Sequence, residues 1–361
     1  MRVALITPMK PPDHPVPSGD RTFARLIREA LTCAGHEALL VSDLVTWQRT
    51  PDGLAALMAA AEAERARIGA IWTRDGAPDA VLTYHNYHKA PDLLGPWLAQ
   101  AFGLPYAIIE ASRSPRRAVG PWAAHFALAD EALRAADAVA AVTALDAVAL
   151  GAFVPDRLVR LGPFVDTAPF DRPRAPRGGG LMVSAAMMRP GRKAQSVAVL
   201  AEVLRRVRSV RADVALALAG DGAERPALEP LFPAGTLVGL LDRAALADLF
   251  ARGDVFVWPA IDEPFGFVFL EAQAAGLPVV AGRARGVVDV VREGETALLA
   301  DPLDAEGLAG HTLALLTDVE RRARMAAAAR AFAGENDLAA GAARIDALLA
   351  RAAARRAGAA A

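Results

Sequence analysis

Short aliphatic segments alternate with longer alanine-rich helical patterns along the whole chain, and this alternation restricts the fold more than any other feature. The pattern FARLIREALTCAG, for example, has apolar residues at helical spacing and a glycine, Gly35, placed to end the helix. Alternating strands and helices are typical of parallel sheets that are covered by helices on both faces. The predicted strands are RVALIT, EALLVS, AVLTY, YAIIEAS, AVAAVT and RLVRL in the first half, and LMVSAA, DVALALAG, TLVG, DVFVWPA, PVVAG and ALLAD in the second.

A proline- and glycine-rich segment, GPFVDTAPFDRPRAPRGGG (162–180), interrupts the alternation and predicts a linker. The length of 361 residues also favours two domains. We therefore predict an α/β protein with two Rossmann-like, doubly wound parallel-sheet domains that face each other across a cleft. The predicted bounds are 1–165 for the first domain, 166–180 for the linker, 181–335 for the second domain and 336–361 for a C-terminal helix.

The composition excludes several classes of protein. The net charge of −1 provides no global field to attract nucleic acid or an acidic membrane. The single cysteine, Cys33, excludes a disulfide framework and fits a reducing compartment. No charge-free run reaches the ~18 residues of a membrane span, and the apolar part of MRVALITPMKPPD is too short for a signal peptide. We expect a soluble, cytoplasmic protein with no nucleic-acid partner and at most peripheral contact with a membrane.

The ends of the predicted strands carry unusual side chains. Of the 40 basic residues only Lys10, Lys89 and Lys193 are lysines, and all three follow strands. The segment TYHNYHK (83–89) also follows a strand and holds two of the six histidines. In an open parallel sheet the ligand binds beyond the carboxyl ends of the strands, so these residues are candidates for a site. The alternative is that polar residues simply collect in loops.

The segment EPFGFVFLEAQAAGLPVVA (263–281) places two glutamates around a run of aromatic and aliphatic side chains. It follows a predicted strand, VFVWPA, through a turn, IDEPFG, and a helix is predicted from about Phe267 to Gly276. Pro264 fits the entry to that helix. The backbone amides of Phe265, Gly266 and Phe267 would then form a site for phosphate oxygens, with Gly266 allowing close approach.

Glu271 lies about one turn into that helix, and its neighbours are mostly apolar. A buried carboxylate without a partner is costly, so we expect Glu271 to accept hydrogen bonds from the two hydroxyls of a ribose. The alternative, that Glu263 caps the helix and Glu271 is solvated, fits the apolar surroundings poorly.

The same segment resembles the glutamate-x7-glutamate signature of family-4 retaining glycosyltransferases of the GT-B fold, and the likeness extends along most of the chain. PVPSGDRTFARLIREALTCAGHEALLVS resembles the first loop and helix of that family. PDAVLTYHN, GLPYAIIEAS and ADAVAAVTAL fall where later strands of the first domain are expected, and VDTAPF resembles the segment before the linker. LALAGDG, LDRAALADLFARGDVFVWPA and GVVDVVREGETALLADPLD complete the pattern of the second domain.

The resemblance implies transfer of a sugar from a nucleoside-diphosphate sugar to an acceptor, with retention at the anomeric carbon and with no required metal or cofactor. It implies that the second domain holds the donor, that the first faces a glycan, lipid-linked or small-molecule acceptor, and that the terminal helix returns to the first domain. The absence of a D-x-D triplet agrees with a metal-free design.

The resemblance also implies roles for individual residues. Glu271 would bind the donor ribose, Glu263 would contact the transferred sugar, and Lys193 would neutralise the leaving diphosphate. The catalytic set is Glu263, Lys193 and Glu110; the donor-binding set is Gly19, Arg189, Gly220, Leu241, Phe265, Gly266, Phe267, Leu270 and Glu271; the acceptor-side set is His85, His88 and Asp20.

Three positions depart from the family pattern. Met187 and Met188 stand where an arginine usually precedes the lysine, Ser18-Gly19-Asp20 replaces a glycine pair, and Glu110 replaces a histidine. These departures leave two alternatives open: a catalytically inactive protein that binds or scaffolds around a sugar nucleotide, and a sugar-nucleotide isomerase of the same fold.

We expect Glu110 to stabilise positive charge at the anomeric carbon, to select a sugar hydroxyl, or to orient an acceptor with His85 or His88. The alternative is an ion pair with Arg113 or Arg116 that only shapes the loop.

Other patterns are less specific. His85 and His88 lack a third ligand at recognisable spacing, so we predict no zinc site. Gly178-Gly179-Gly180 precedes a strand, which fits a linker and not a phosphate loop. Arg113, Arg116 and Arg117 with Trp122 form either a solvated basic loop or a contact for a phospholipid surface or an anionic acceptor.

Overall fold

The computed structural model describes residues 1–16, 18–174 and 180–360. The chain divides into two compact units. The first unit comprises Met1–Gly162 together with Leu338–Ala361, and the second comprises Pro163–Asp337.

All twelve predicted strands are present, and the predicted fold class is confirmed. The strands are β1 (Arg2–Ile6), β2 (Glu37–Leu40), β3 (Ala80–Asn86), β4 (Tyr106–Ala111), β5 (Ala138–Ala141), β6 (Leu158–Arg160), β7 (Leu181–Ala185), β8 (Ala215–Ala219), β9 (Leu237–Gly239), β10 (Val255–Trp258), β11 (Val279–Gly282) and β12 (Ala297–Ala300). The α-helices are α1 (Gly19–Cys33), α2 (Leu54–Asp75), α3 (Gly95–Phe102), α4 (Ala123–Ala135), α5 (Ala144–Gly151), α6 (Arg192–Val210), α7 (Arg225–Leu228), α8 (Arg243–Arg252), α9 (Phe267–Ala274), α10 (Ala305–Thr317), α11 (Val319–Glu335) and α12 (Leu338–Ala360).

The sheet of the first unit has the order β2-β1-β3-β4-β5-β6, and its paired strands are parallel. Val3 on β1 lies opposite Ala38 on β2 and Ala80 on β3, which fixes the register of the three strands. The chain first adds β2 on one side of β1 and then crosses to add β3 on the other. The order therefore reverses between β1 and β3, and such a reversal opens a crevice at the carboxyl ends of the strands.

The sheet of the second unit has the order β12-β11-β10-β7-β8-β9, again with parallel pairs. Val183 on β7 lies opposite Phe256 on β10 and Ala217 on β8. Here the order reverses between β7 and β10, so segments about 70 residues apart become neighbours. The loops that follow these two strands hold the central residues of the candidate site.

Each sheet is buried because its strands are nearly continuous runs of aliphatic or aromatic residues, as expected for strands covered on both faces. All four residues of β10 are completely buried, and Trp258 is the largest fully buried side chain of the described residues. In the first unit α12 packs against α1, β4 and β5. Its buried side chains include Ile345, Leu348 and Leu349. A hydrogen bond of 3.0 Å between His36 and Asp346 also ties α12 to the chain beside α1.

The boundary between the two units lies earlier in the chain than predicted, because the second unit begins at Pro163. Val165, placed in the first domain by the sequence, belongs to the second unit, and both Val165 and Phe170 are buried in the core of that unit. Phe170 packs against Phe250 of α8 with 5.9 Å between ring centroids. These apolar side chains anchor the segment despite its prolines, while residues 175–179, including Gly178 and Gly179, lie outside the described residues.

Among the described residues, no helix combines the length and the apolar character needed to cross a membrane.

Candidate active site

Backbone strain concentrates where the sequence predicted a site. Among the described residues, four that are not glycine have positive φ: His85 at 77°, Glu110 at 60°, Ala260 at 56° and Asp262 at 53°. His85 and Glu110 lie near the ends of the adjacent strands β3 and β4, while the other two follow β10. Left-handed backbone at such residues costs free energy and commonly occurs at functional sites.

The centre of the site in the second unit is an ion pair between Lys193 and Glu263. Lys193 is the second residue of α6, which follows β7, and Glu263 lies in the loop after β10. Because β7 and β10 are neighbours at the point where the strand order reverses, the two side chains meet. Glu263 is only 8% exposed, so its carboxylate depends on its partners for stabilisation.

Trp258, the last residue of β10, provides a second contact to this pair. Its indole Nε1 donates a hydrogen bond to Glu263 Oε2 at 3.3 Å, and Lys193 Nζ lies 5.6 Å from the centre of its ring. One oxygen of Glu263 thus accepts from both a cation and an indole. The arrangement fixes the lysine beside an aromatic face, where cation–π attraction adds to the ion pair.

Backbone contacts hold the loop that carries Glu263. The amide of Ile261 donates to Ser196 Oγ on α6 at 3.0 Å, and the amide of Gly286 donates to the carbonyl oxygen of Glu263 at 3.2 Å. The loop is therefore attached both to the helix that carries Lys193 and to the segment after β11. Its position is fixed by the same elements that bring the ion pair together.

Helix α9 begins at Phe267, as predicted, but the role assigned to Pro264 is wrong. Pro264 lies three residues before the helix, and the N-cap is Gly266 with φ of 66°. A Cβ atom at Gly266 would overlap the ring of Phe269, so glycine satisfies both the backbone angle and the packing. The N-cap is Gly266, and no side chain of the described residues caps α9, so the alternative that Glu263 is the helix cap is also wrong.

The rings of Phe265 and Phe267 stack at 5.5 Å beside this N-terminus. The positive end of the helix dipole lies there and favours an anion such as a phosphate.

Glu271 lies on the first turns of α9 and is partly buried. No hydrogen bond or ion pair reaches its carboxylate from any residue that the structure describes. Burial raises the pKa of Glu271 to about 7. The positive charge of Arg243 opposes this rise, and the negative charge of Asp166 adds to it by a smaller amount. Arg243 is instead bonded to Asp166, with 2.9 Å between Nη1 and Oδ2.

The loops after β7 and β8 pack closely on each other. Gly220 has φ of 126°, and a Cβ atom there would overlap the carbonyl group of Ala186. Met188 occupies one of the positions where the family pattern has an arginine. Its side chain is fully buried, and its amide donates to the carbonyl oxygen of Asp221 at 2.9 Å. Arg189 is exposed next to it. The buried methionine belongs to the core and carries no charge towards a ligand.

Two residues predicted to bind the donor have mainly packing roles for their side chains. Leu270 is buried in the core of the second unit, and Leu241 is partly buried against that core. Any contact they make with a ligand therefore uses little of their side chains.

In the first unit, Glu110 and His85 form a buried pair. Glu110 is 5% exposed, and its Oε1 lies 3.3 Å from His85 Nδ1. This contact lies outside hydrogen-bond geometry, and His85 Nδ1, Glu110 Oε2 and the Tyr84 hydroxyl have no hydrogen-bond partner among the described residues. Such buried polar atoms are costly unless a ligand or water completes them.

The charges in this pair influence each other. Burial raises the pKa of Glu110, while the neighbouring His85 opposes the rise. Burial lowers the pKa of His85, but the Glu110 carboxylate outweighs it, and the pKa is raised overall. Asp20, the second residue of α1, acts electrostatically on both. Asp20 and Gly19 lie at the start of α1 behind the N-cap Ser18.

The alternative that Glu110 pairs with Arg113 is wrong. Arg113 makes two hydrogen bonds to Asp130, at 2.9 and 2.8 Å. His88 lies apart from Glu110, with its ring 5.5 Å from that of Trp122. The structure thus brings His85, Asp20 and Glu110 together and places His88 in a second cluster.

Trp258 and His125 contact the site residues but were not predicted from the sequence. Trp258 lies near the end of a predicted strand, DVFVWPA, and is one of only five tryptophans, which is the signal that was available. His125 offered no comparable signal, because its contact with Gln48 joins segments 77 residues apart. Tyr84 lies within the segment TYHNYHK, which the sequence indicated as a candidate. Among the described residues, no three or more His, Cys, Asp or Glu side chains are grouped to hold a metal ion.

Residues 181–318 match the family described as "Glycosyl transferases group 1". This match confirms the predicted resemblance to glycosyltransferases over less than half of the chain. A 134-residue segment is 39% identical to the sulfoquinovosyl transferase SQD2 of Arabidopsis thaliana, covering 36% of this chain and 26% of that protein. The chain spans less than half the length of the curated relatives it matches.

Two solved structures resemble the whole chain. The sucrose-phosphate synthase of Thermosynechococcus elongatus superposes with a TM-score of 0.73 at 19% identity, covering 100% of both chains. Anabaena HepE, solved in complex with UDP, superposes with a TM-score of 0.69 at 18% identity, covering 97% of this chain and 100% of that one. The GT-B fold is thereby confirmed.

The raised pKa of Glu271 predicts how stability changes with pH. An unfolded glutamate titrates near 4.5, so the folded protein binds more protons between pH 4.5 and about 7, and Glu271 lowers stability progressively as pH rises through that window. Glu271→Gln removes this penalty. We expect the variant to gain stability relative to the parent protein by up to about 3 kcal/mol between pH 4.5 and 8.

The measurement is the thermal unfolding midpoint of both proteins across that range, with Glu320→Gln, a highly exposed glutamate of α11, as the control. A difference between Glu271→Gln and the parent that stays constant with pH would contradict the assignment of a buried, protonated carboxyl.

Proposed function

We propose that the chain is a retaining glycosyltransferase that moves a sugar from a nucleoside-diphosphate sugar to a hydroxyl of an acceptor without needing a metal. The observation that carries this proposal is the Lys193–Glu263 pair beside Trp258 and the N-terminus of α9. It places a cation, a carboxylate and a helix dipole together at the carboxyl edge of the second sheet. The group 1 match over residues 181–318 covers this same site.

The second unit would bind the donor. The carboxylate of Glu271 has no partner among the described residues and can accept from the two hydroxyls of a ribose, which would lower its pKa by stabilising the ionised form. The diphosphate would lie at the N-terminus of α9 and beside Lys193. UDP is the nucleotide in the related HepE structure, and we propose a nucleoside diphosphate of this kind for the present chain.

Lys193 would act on the leaving group. Negative charge grows on the diphosphate as the bond to the sugar breaks, and a fixed cation stabilises that charge more in the transition state than in the ground state. In the free protein Glu263 holds this cation in place. When the donor binds, the carboxylate of Glu263 would turn to the hydroxyls of the transferred sugar.

Glu110 and His85 would act on the acceptor. The pair is buried, it retains unpartnered polar atoms, and both residues have strained backbones. A carboxylate that shares a site with an imidazole can accept the hydrogen of an attacking hydroxyl and hold it in a single orientation. We infer that Glu110 orients the acceptor and that His85 positions Glu110.

Replacing Lys193 tests the proposed means of stabilising the leaving group. Lys193→Ala should lower kcat by about 10²-fold or more while changing the selectivity between donor sugars little. The assay is release of nucleoside diphosphate from a panel of nucleotide sugars, with and without sugar and polyol acceptors, in the presence and absence of EDTA.

Arg205→Ala, an exposed residue of the same helix that pairs with Glu202, is the matched control. Activity should persist in EDTA. Loss of activity on chelation, with recovery on adding magnesium or manganese, would overturn the metal-free mechanism. Sugar interconversion without an acceptor would instead identify an isomerase, and tight binding without turnover would identify a scaffold.

Replacing Glu110 tests the acceptor side. Glu110→Gln keeps the size of the side chain and removes its charge, so kcat should fall about 10²-fold or more while donor binding in calorimetry stays nearly unchanged. Glu131→Gln, an exposed glutamate of α4, should behave like the parent. Turnover at the parental rate combined with a lower unfolding temperature would show that Glu110 is only structural.

A further inference from the structure

Lys89 and Arg117 are two cations of the first unit that both act electrostatically on His88. Lys89 follows β3 and Arg117 lies in the loop after β4, and neither forms an ion pair with any described residue. The contrast with a neighbour is direct, since Arg113 in the same loop is paired twice with Asp130. Lys89 is also one of only three lysines in the chain. Unpaired cations near each other favour an anionic ligand.

Aromatic rings connect these cations to the Glu110 pair. The ring of His85 lies 4.9 Å from that of Tyr87, Tyr87 lies 5.3 Å from His88, and His88 lies 5.5 Å from Trp122. All three contacts are edge-to-face, and Trp122 continues the row to His125 at 5.0 Å. Lys89 Nζ lies 5.6 Å from the centre of the Trp122 ring, which therefore positions the ammonium group.

Two imidazoles of this row carry buried nitrogens without partners. His125 is 1% exposed; its Nε2 lies 3.0 Å from Gln48 Oε1, and its Nδ1 has no hydrogen-bond partner among the described residues. His88 Nε2 is likewise buried and unpartnered in that part of the chain. The backbone amide of Gln48 donates to the carbonyl oxygen of Lys89 at 2.8 Å, which joins the two sides of the cluster.

The histidines supply hydrogen bonds and not charge. Burial, together with the positive charges of Arg117 and Lys89, lowers the pKa of His88 to about 4. Burial also lowers the pKa of His125. At neutral pH both rings are uncharged, so each has one N–H donor and one nitrogen acceptor, which suits the hydroxyls of a polyol or sugar.

We propose that Lys89, Arg117, His88, Trp122 and His125 form a subsite for a phosphorylated polyol or sugar, either free or as the head group of a phospholipid. The two cations would bind the phosphate and the uncharged imidazoles would bind hydroxyls. The row of rings leads from this subsite to His85 and Glu110, so a hydroxyl of the same molecule would reach the pair that orients the acceptor. This inference rests on the proposed function, of which it names the acceptor class.

Binding of defined probes tests the subsite directly. Glycerol 3-phosphate and glucose 6-phosphate are titrated into the whole protein by calorimetry, each beside its unphosphorylated parent compound. We expect the phosphorylated probes to bind at least tenfold more tightly than the parents, and the Lys89→Ala/Arg117→Ala double variant to lose that preference. Arg355→Ala on α12 and Lys193→Ala in the second unit should keep it, which separates this subsite from the donor site.

Vesicles distinguish the source of the phosphate. Co-sedimentation with vesicles of phosphatidylglycerol but not of phosphatidylcholine, lost in the double variant, would indicate a lipid head group; binding of the soluble probes alone would indicate a free acceptor. If neither the probes nor the vesicles bind, or if the double variant binds as well as the parent, the subsite is refuted. UDP and GDP are titrated into the same samples, so failure of the donor site is observed separately.

Discussion

The ion pair between Lys193 and Glu263 is the interaction on which the candidate site of the second unit depends. Its partners come from segments about 70 residues apart and meet only because β7 and β10 are adjacent where the strand order reverses. A carboxylate that is 8% exposed would be strongly destabilised without the lysine, and the indole of Trp258 supplies its second contact. In the free protein, therefore, the pair stabilises the loop that a donor would have to contact.

Each of the two units contains a buried, paired glutamate beside strained backbone. In each, a buried glutamate lies near the carboxyl end of a strand and has a cationic or titratable partner from a neighbouring strand or helix. In each, non-glycine residues with positive φ lie next to that glutamate or at it. The regular sheets supply the burial that maintains this strain, because displacing the loops would expose the apolar strands beneath them.

Much of the fold follows from the sequence, because parallel strands that are buried on both faces appear as short apolar runs between helices. Lys193, Glu263 and Glu271 could also be selected one by one, as charges in unusual positions. The contact between Lys193 and Glu263 could not be predicted, because it depends on the order of the strands in the sheet. The proline-rich composition of the segment after Gly162 predicted a linker, so the burial of Val165 and Phe170 in the second unit was not predicted. The start of α9 at Phe267 was predicted correctly, but its N-cap is Gly266, and Pro264 lies outside the helix.

The most direct test of the account is the affinity for a nucleoside diphosphate after Glu263→Gln. In the proposed mechanism Lys193 leaves Glu263 and pairs with the diphosphate when the donor binds. Glu263→Gln removes the charge that competes with the diphosphate for the ammonium group of Lys193. Calorimetric titration with UDP and GDP should then show binding that is several-fold to about tenfold tighter than in the parent protein, a gain of up to about 1.4 kcal/mol. Unchanged or weaker binding would show that the ion pair is not the element that the donor displaces.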